Sequence, residues 1–269
     1  GYYDEIITSD RHTDTFINQF DFRACRYLEI TGIDYKPKPF QITAMLTRND
    51  YPDTSTFECS NQLLNEIYKT TKHTYECLTM GGVIVDCPHR ERLGYGGDGQ
   101  SSMVTGMTNF DTAAFYTKWL MNWRDSQDPN SGDVPYTCPP TLDGGGPAWS
   151  GICLTLPCQM YKRYADKRIV EKCYPTFTKW LDFIETKSKN NILEFYPGQA
   201  PQPKWGFLGD WVAPDQIWNP LQNPDQSSRN RFFNNCYRLI CVKKAAEMAR
   251  LLDKSEDAKK YTNQAKLIE

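Results

Sequence analysis

A mainly α-helical chain entered through a short β-rich stretch is the fold this sequence predicts, and three observations carry that reading. From Ser60 onward, apolar residues recur at helical spacing, whereas before about residue 50 they come in short β-rich runs. The helical stretches alternate with Pro- and Gly-rich segments of unequal length, as successive helical hairpins require. The residues able to do chemistry fall on those intervening segments.

In chain order, Phe16-Ile17, residues 26–30 and residues 41–46 read as strands, with turn signals at Gly32 and Lys36-Pro37-Lys38-Pro39 between them. Two or three strands are marginal as a sheet of their own. Residues 1–50 are therefore expected to be the last strands of a β-sandwich, and residues 51–59 a linker opened by the polar Asn49–Ser55 run. Residues 60–269 are expected to form the first half of a helical domain. Ser60 caps a helix whose buried face is Leu64, Ile67, Thr71, Tyr75 and Leu78. A second helix is expected over about 100–109. A third starts near Asp111, aligns Phe115, Trp119 and Trp123, and stops at Pro129–Gly132. A fourth covers about 152–164, kinked or started near Pro157. A fifth covers about 168–188, with Phe177, Trp180, Leu181 and Ile184 on one face and Pro175 in its first turns. The Pro-, Gly- and Trp-loaded segment 196–225 lacks periodicity, and loops that long are often functional. Helices follow over about 231–252 and from Ser255, the last with Ala258, Tyr261, Ala265 and Ile268 in a pattern still running at Glu269.

Composition narrows the function. A formal net charge of −2 without a Lys/Arg run argues against nucleic acid as a partner. No apolar run approaches the ~18 residues of a membrane span, and Gly1-Tyr2-Tyr3-Asp4 is not a signal peptide. Ten cysteines without a Cys-x-x-Cys pair, beside three histidines, give no basis for a zinc site, so neither metal nor cofactor is expected. The cysteines leave disulfides and buried free thiols both open, with Cys236 and Cys241 read as core residues. Tyr95, Tyr136, Trp149, Trp205, Trp211 and Trp218 lie near Gly and Pro, where aromatic faces suit the C–H faces of sugars and also fill cores.

The densest chemistry lies in the run Asp86-Cys87-Pro88-His89-Arg90-Glu91-Arg92-Leu93-Gly94-Tyr95-Gly96-Gly97-Asp98-Gly99-Gln100. Pro88 and the glycines disfavour regular structure, which puts the charges on a loop ahead of a helix. One protonated and one ionised carboxyl facing a sugar is the apparatus of glycoside hydrolysis. A solvated loop of mutually paired charges is the plainer alternative.

This run strongly resembles the signature Asp-Cys-Pro-x-Arg-Glu-Arg-x-Gly-Trp-x-Gly-Asp of the α-L-rhamnosidases of glycoside hydrolase family 78, with Tyr95 in place of the Trp. Weaker similarity covers Phe22-Arg23, residues 27–32, Phe57–Asn61, Gly132–Pro135, Pro147-Ala148-Trp149 and Gly209-Asp210-Trp211. The resemblance implies a six-hairpin (α/α) toroid with its site at one mouth, about half of it present here and the rest of the same polypeptide completing the ring. It implies an inverting hydrolase that removes terminal α-L-rhamnose from glycosides or polysaccharides. Carried over by position, Glu91 is the general acid, Asp86 and Asp98 hold sugar hydroxyls, and Arg90, Tyr95 and Trp149 line the sugar site. Asp210 and Trp211 sit on a substrate-side loop. The general base of the family lies downstream of this chain. His89 fills the variable slot and reads as exposed or supporting. The substrate class, with the cysteine content, favours a secreted or secretory-pathway location. Two alternatives share the toroid: a hydrolase or lyase for a related sugar or uronate, and a non-catalytic carbohydrate-binding protein.

Overall fold

The computed structural model describes residues 3–9, 13–18, 21–22, 25–140, 145–196, 207–209 and 226–269. Helices dominate: α1 (Gln62–Leu78), α2 (Gly96–Asn109), α3 (Ala113–Asp125), the single turn α4 (Pro147–Ser150), α5 (Ile152–Tyr164), α6 (Lys167–Thr186), α7 (Gln226–Leu251) and α8 (Ser255–Ile268). Two minimal antiparallel hairpins join them: β1 (Thr79–Met80) with β2 (Val83–Ile84), and β3 (Ser188–Lys189) with β4 (Ile192–Leu193). The second turns on Asn190-Asn191, both at positive φ (52° and 63°), the conformation a tight two-residue hairpin needs and asparagine tolerates.

The helices stack in two layers. α2 packs on α5 and α5 on α7, forming one layer; α3 packs on α6 in the other. Each of α5 and α7 is followed by its antiparallel neighbour, α6 and α8, and α8 is tied back to α6 by Tyr174–Asp257 (2.6 Å) and Lys260–Asp182 (2.9 Å). This is an arc of a mainly α toroid. Trp119, Trp123, Trp180, Phe177 and Tyr116 are wholly enclosed between the layers. Trp119 Nε1 donates to the Cys138 carbonyl at 3.1 Å, whereas the buried indole nitrogens of Trp123 and Trp180 have no partner among the described residues.

Several boundaries differ from the sequence reading. α1 is capped by Asn61, not Ser60: Asn61 Oδ1 accepts from the Leu63 N–H at 3.0 Å, which Ser60 is one residue too early to do. Its expected apolar face is only half used: Tyr75 is buried, whereas Leu64 and Ile67 are 47% and 52% exposed. α2 begins at Gly96 rather than near Gln100, because close packing overrides the poor helix propensity of its glycines. Pro175 lies well inside α6 rather than in its first turns, and Pro157 inside α5. Among the described residues of 1–50 the only regular element is the short 3-10 turn Pro39–Gln41, and 16–17, 26–30 and 41–46 form no strand. Extended segments need partners for their N–H and C=O groups, and Tyr27, Leu28, Met45 and Leu46 stand exposed instead. All ten cysteines are free thiols. Cys138, Cys153, Cys158, Cys173 and Cys241 are buried, but Cys236 is exposed, against its expected core position.

The contact of α1 with α2 depends on Gly106. A Cβ there would run into the Tyr75 ring, whose hydroxyl is hydrogen-bonded to Tyr116 at 2.9 Å. Gly106→Ala is expected to lower stability by about 1–3 kcal/mol through overpacking, measured as the midpoint of denaturant unfolding.

Candidate active site

Three loops, each leading into a helix of the α2–α5–α7 layer, meet at one place. Residues 85–95 precede α2, α4 precedes α5, and Phe207-Leu208-Gly209 precede α7. Their meeting point is an aromatic cluster of Tyr136, Ala148, Trp149 and Leu208, flanked by Tyr95, Phe233 and Tyr237. Tyr95 and Tyr136 lie 5.7 Å apart between ring centroids, Trp149 and Phe233 6.4 Å, and Phe233 and Tyr237 5.0 Å.

The β1–β2 hairpin turns the chain back from α1, and Val85 N–H bonds the Leu78 carbonyl at 2.8 Å, delivering Asp86 to this cluster. Downstream, Gly94 and Gly96 are stitched to the 136–138 strand-like segment: Cys138 N–H donates to Gly94 O at 2.8 Å and Gly96 N–H to Tyr136 O at 2.9 Å. The motif is thus held at both ends.

Between these anchors, Asp86, Cys87 and Glu91 bring oxygen and sulfur atoms within 4.8 Å of one another. The Arg90 guanidinium reaches all three: two bonds to Glu91 (Nε–Oε2, and Nη2–Oε1 at 3.0 Å), Cys87 Sγ at 3.2 Å and Asp86 Oδ2 at 3.4 Å. A metal ion could use the same three ligands only by displacing Arg90, since two positive charges would compete for one acidic pocket. Arg92 takes another direction. It binds Asp21 Oδ1 at 2.6 Å and Phe22 O at 3.0 Å, and lies 4.2 Å over the Phe22 ring, fastening the motif to the N-terminal segment. Only one of the two arginines beside Glu91 in sequence therefore acts on it.

The carboxyls are pushed apart electrostatically. Burial raises the Asp86 pKa, and its hydrogen bond with Glu91 raises it further. Burial pulls Glu91 upward too, but hydrogen bonds from Asp86, its own N–H and Arg90 outweigh this and hold it below the usual range. Of the pair, Asp86 is therefore the carboxyl that takes up a proton more readily, and Glu91 is the ionised partner of Arg90. Asp86 Oδ1 is enclosed and has no hydrogen-bond partner among the described residues.

Asp98 sits in the first turn of α2, not on the loop. The helix N-terminus favours its charge, yet burial, then Asp86 and Glu91, push its pKa up to about 6. Tyr95 is raised to about 12 by burial and by the charges of Asp86, Glu91 and Asp98 in turn. Trp149, only 9% exposed, forms a wall rather than an open platform; a Cβ on Gly97 would come within 2.8 Å of its Nε1. His89 is exposed.

Of the residues singled out in the sequence, Asp86, Arg90, Glu91, Tyr95, Asp98 and Trp149 come together. Asp210, Trp211, Trp205 and Trp218 lie outside the described residues. Sequence reasoning missed Phe233 and Tyr237, whose place inside a long helix reads as core. It also passed over Gln100, which bonds the Ala148 and Pro147 carbonyls at 2.5 and 3.3 Å. Its position two residues after Asp98, on the same helical turn, was the available signal.

Residues 52–269 match the model of the bacterial α-L-rhamnosidase six-hairpin glycosidase domain. The chain belongs to this family. Similar curated proteins include α-L-rhamnosidases of Formosa agariphila (29% identical over 219 residues, 77% of this chain and 22% of the relative) and Streptomyces avermitilis (29% over 208 residues, 74% and 18%). Among solved structures, α-L-rhamnosidase from Dictyoglumus thermophilum superposes with a TM-score of 0.69 at 29% identity, covering 82% of this chain and 23% of that one. The Streptomyces avermitilis enzyme complexed with L-rhamnose gives 0.68 at 26%, covering 82% and 19%. The chain thus spans about a fifth of the length of these family members.

Because its pKa is raised, Asp98 adds stability that is complete below about pH 4, where it is protonated folded or unfolded, and lost as pH rises through about 6. Asp98→Asn is therefore expected to be more stable than wild type by about 2 kcal/mol at pH 7.5 and equal to it at pH 4, read by thermal melting at both values.

Proposed function

We propose that this chain forms part of the catalytic domain of an inverting α-L-rhamnosidase, acting on terminal α-L-rhamnose in glycosides or polysaccharides. The observation that carries the reading is the convergence of Asp86, Glu91 and Asp98 with Arg90 and Tyr95 at the start of α2, in a member of this family. The related Streptomyces avermitilis structure with bound L-rhamnose supports the sugar.

In this reading Glu91 is the general acid. It is the most accessible of the paired carboxyls, its side chain 31% exposed against 15% for Asp86, and so is the one able to reach a leaving oxygen. It needs a proton, and Asp86, its hydrogen-bonded neighbour, is the carboxyl of the pair that takes one up more readily. A sugar entering the site excludes water from Glu91 and offers Arg90 hydroxyl acceptors. Both changes raise the Glu91 pKa and draw the proton across. Asp86, then ionised, and Asp98 accept hydrogen bonds from sugar hydroxyls. Tyr95 and Trp149 bound the apolar side of the ring; Asp210 and Trp211 are assigned to the substrate side by the family resemblance alone. An inverting reaction also needs a carboxylate base roughly 6.5–9.5 Å from the acid, on the opposite face of the sugar, to activate water. By the family resemblance that base lies further along the polypeptide, in the hairpins that complete the ring.

Glu91→Gln is expected to lower turnover of unactivated rhamnosides by about 10²–10⁴-fold in the complete protein, with L-rhamnose affinity largely kept. A substrate whose leaving group needs no protonation should lose far less; equal losses on the two substrates would remove Glu91 from the acid role. Arg90 lowers the Glu91 pKa, so Arg90→Gln should let Glu91 keep its proton to higher pH. The alkaline limb of the kcat/KM profile, which reports the free protein, should then move upward, and a downward or absent shift would contradict this arrangement.

A further inference from the structure

Gln100 stands one turn into α2 and uses its whole amide on a neighbouring loop. Its Nε2 donates to Ala148 O (2.5 Å) and to Pro147 O (3.3 Å), while its Oε1 accepts from Thr155 Oγ1 at 2.9 Å, which fixes the orientation of the amide. Trp149, the residue next in chain, is pressed against the same turn of α2. A Cβ at Gly96 would collide with its carbonyl oxygen, and one at Gly97 would come within 2.8 Å of its indole nitrogen. Asp98 belongs to this turn as well. One helical turn therefore holds an acidic residue of the candidate site and grips the backbone that carries its aromatic wall.

We propose that Gln100 is a positioning residue for sugar binding: its amide, oriented by Thr155, holds the Pro147–Trp149 turn so that Trp149 stands at a fixed place relative to Asp98. This deepens the rhamnosidase reading and rests on it for the role of Trp149. A carboxylate in place of the amide would face two carbonyl oxygens and drive the turn away, whereas a neutral carboxyl keeps one donor and restores a bond. α4 carries no titratable side chain, the first half of α5 carries only the thiols of Cys153 and Cys158, and Asp98 is the sole titratable group of α2.

The test measures L-rhamnose affinity by calorimetry on the complete protein for wild type, Gln100→Glu, Gln100→Met and Trp149→Ala, from pH 4.5 to 7.5. Gln100→Glu is expected to bind on the order of tenfold more weakly than wild type at pH 7.5 and to approach it at pH 4.5. Gln100→Met, close in shape and without a donor, should show a smaller loss that does not vary with pH. A Gln100→Glu to wild-type ratio that is flat with pH, or full affinity in both Gln100 variants while Trp149→Ala binds weakly, overturns the positioning role and leaves the sugar site standing. Undiminished binding by Trp149→Ala overturns the assignment of Trp149 to the site, and the proposal with it. Should Gln100→Glu fail to fold, full affinity in Gln100→Met still refutes the proposal.

Discussion

Close approach at the beginning of α2 is the constraint on which the rest of the molecule depends. Side chains at Gly94, Gly96, Gly97 and Gly99 would meet the Cys138 carbonyl, the Trp149 carbonyl, the Trp149 indole and the Trp119 ring. Three of these glycines lie inside the helix, where each costs about 1 kcal/mol relative to alanine. The loss is offset by what the bare backbone allows: Trp119 closes over the helix from the core side, and the Pro147–Ser150 turn lies against it from the site side. Core and site thus meet at adjacent positions of one poorly helix-forming segment, with Ile152 against both Gly96 and Gly99.

That placement sets the electrostatics. A carboxylate at an exposed helix start is stabilised, but a start buried beneath packed aromatics makes the charge at Asp98 costly, and Asp86 and Glu91 add repulsion. Arg90 is the single cation bonded to the Asp86–Glu91 pair among the described residues, while Arg92 is committed to Asp21 and Phe22. Two arginines separated by one residue accordingly do different work. Arg92 takes positive φ (57°), which turns its side chain away from the cluster and towards the N-terminal segment.

The helical part of the fold was legible because its signals are local. Phe115, Trp119 and Trp123 mark the buried side of α3 by spacing alone, and the α5 limits and α8 start match the sequence pattern. The motif was legible because Asp86, Glu91 and Asp98 are close in sequence. What stayed hidden depends on neighbours distant in sequence. Glycines read as a loop become helix once Trp119 and Trp149 pack on them. Leu64 and Ile67 read as core, yet burial is decided by what lies opposite. Phe233 and Tyr237 face the site only because α7 passes there, and no pattern within α7 separates a core face from a pocket face.

The acid-bearing half of the pocket is compact in sequence as well as in space. Asp86, Glu91, Asp98, Gln100, Trp149 and Thr155 all precede α6, and the bonds among them need nothing from α7 or α8. Chains emerge from the ribosome N-terminus first, at about 5–20 residues per second. These contacts are therefore available to the nascent polypeptide while Phe233 and Tyr237 are still to be made. The residues of the acidic side are thus all synthesised before α7 supplies Phe233 and Tyr237 to the pocket.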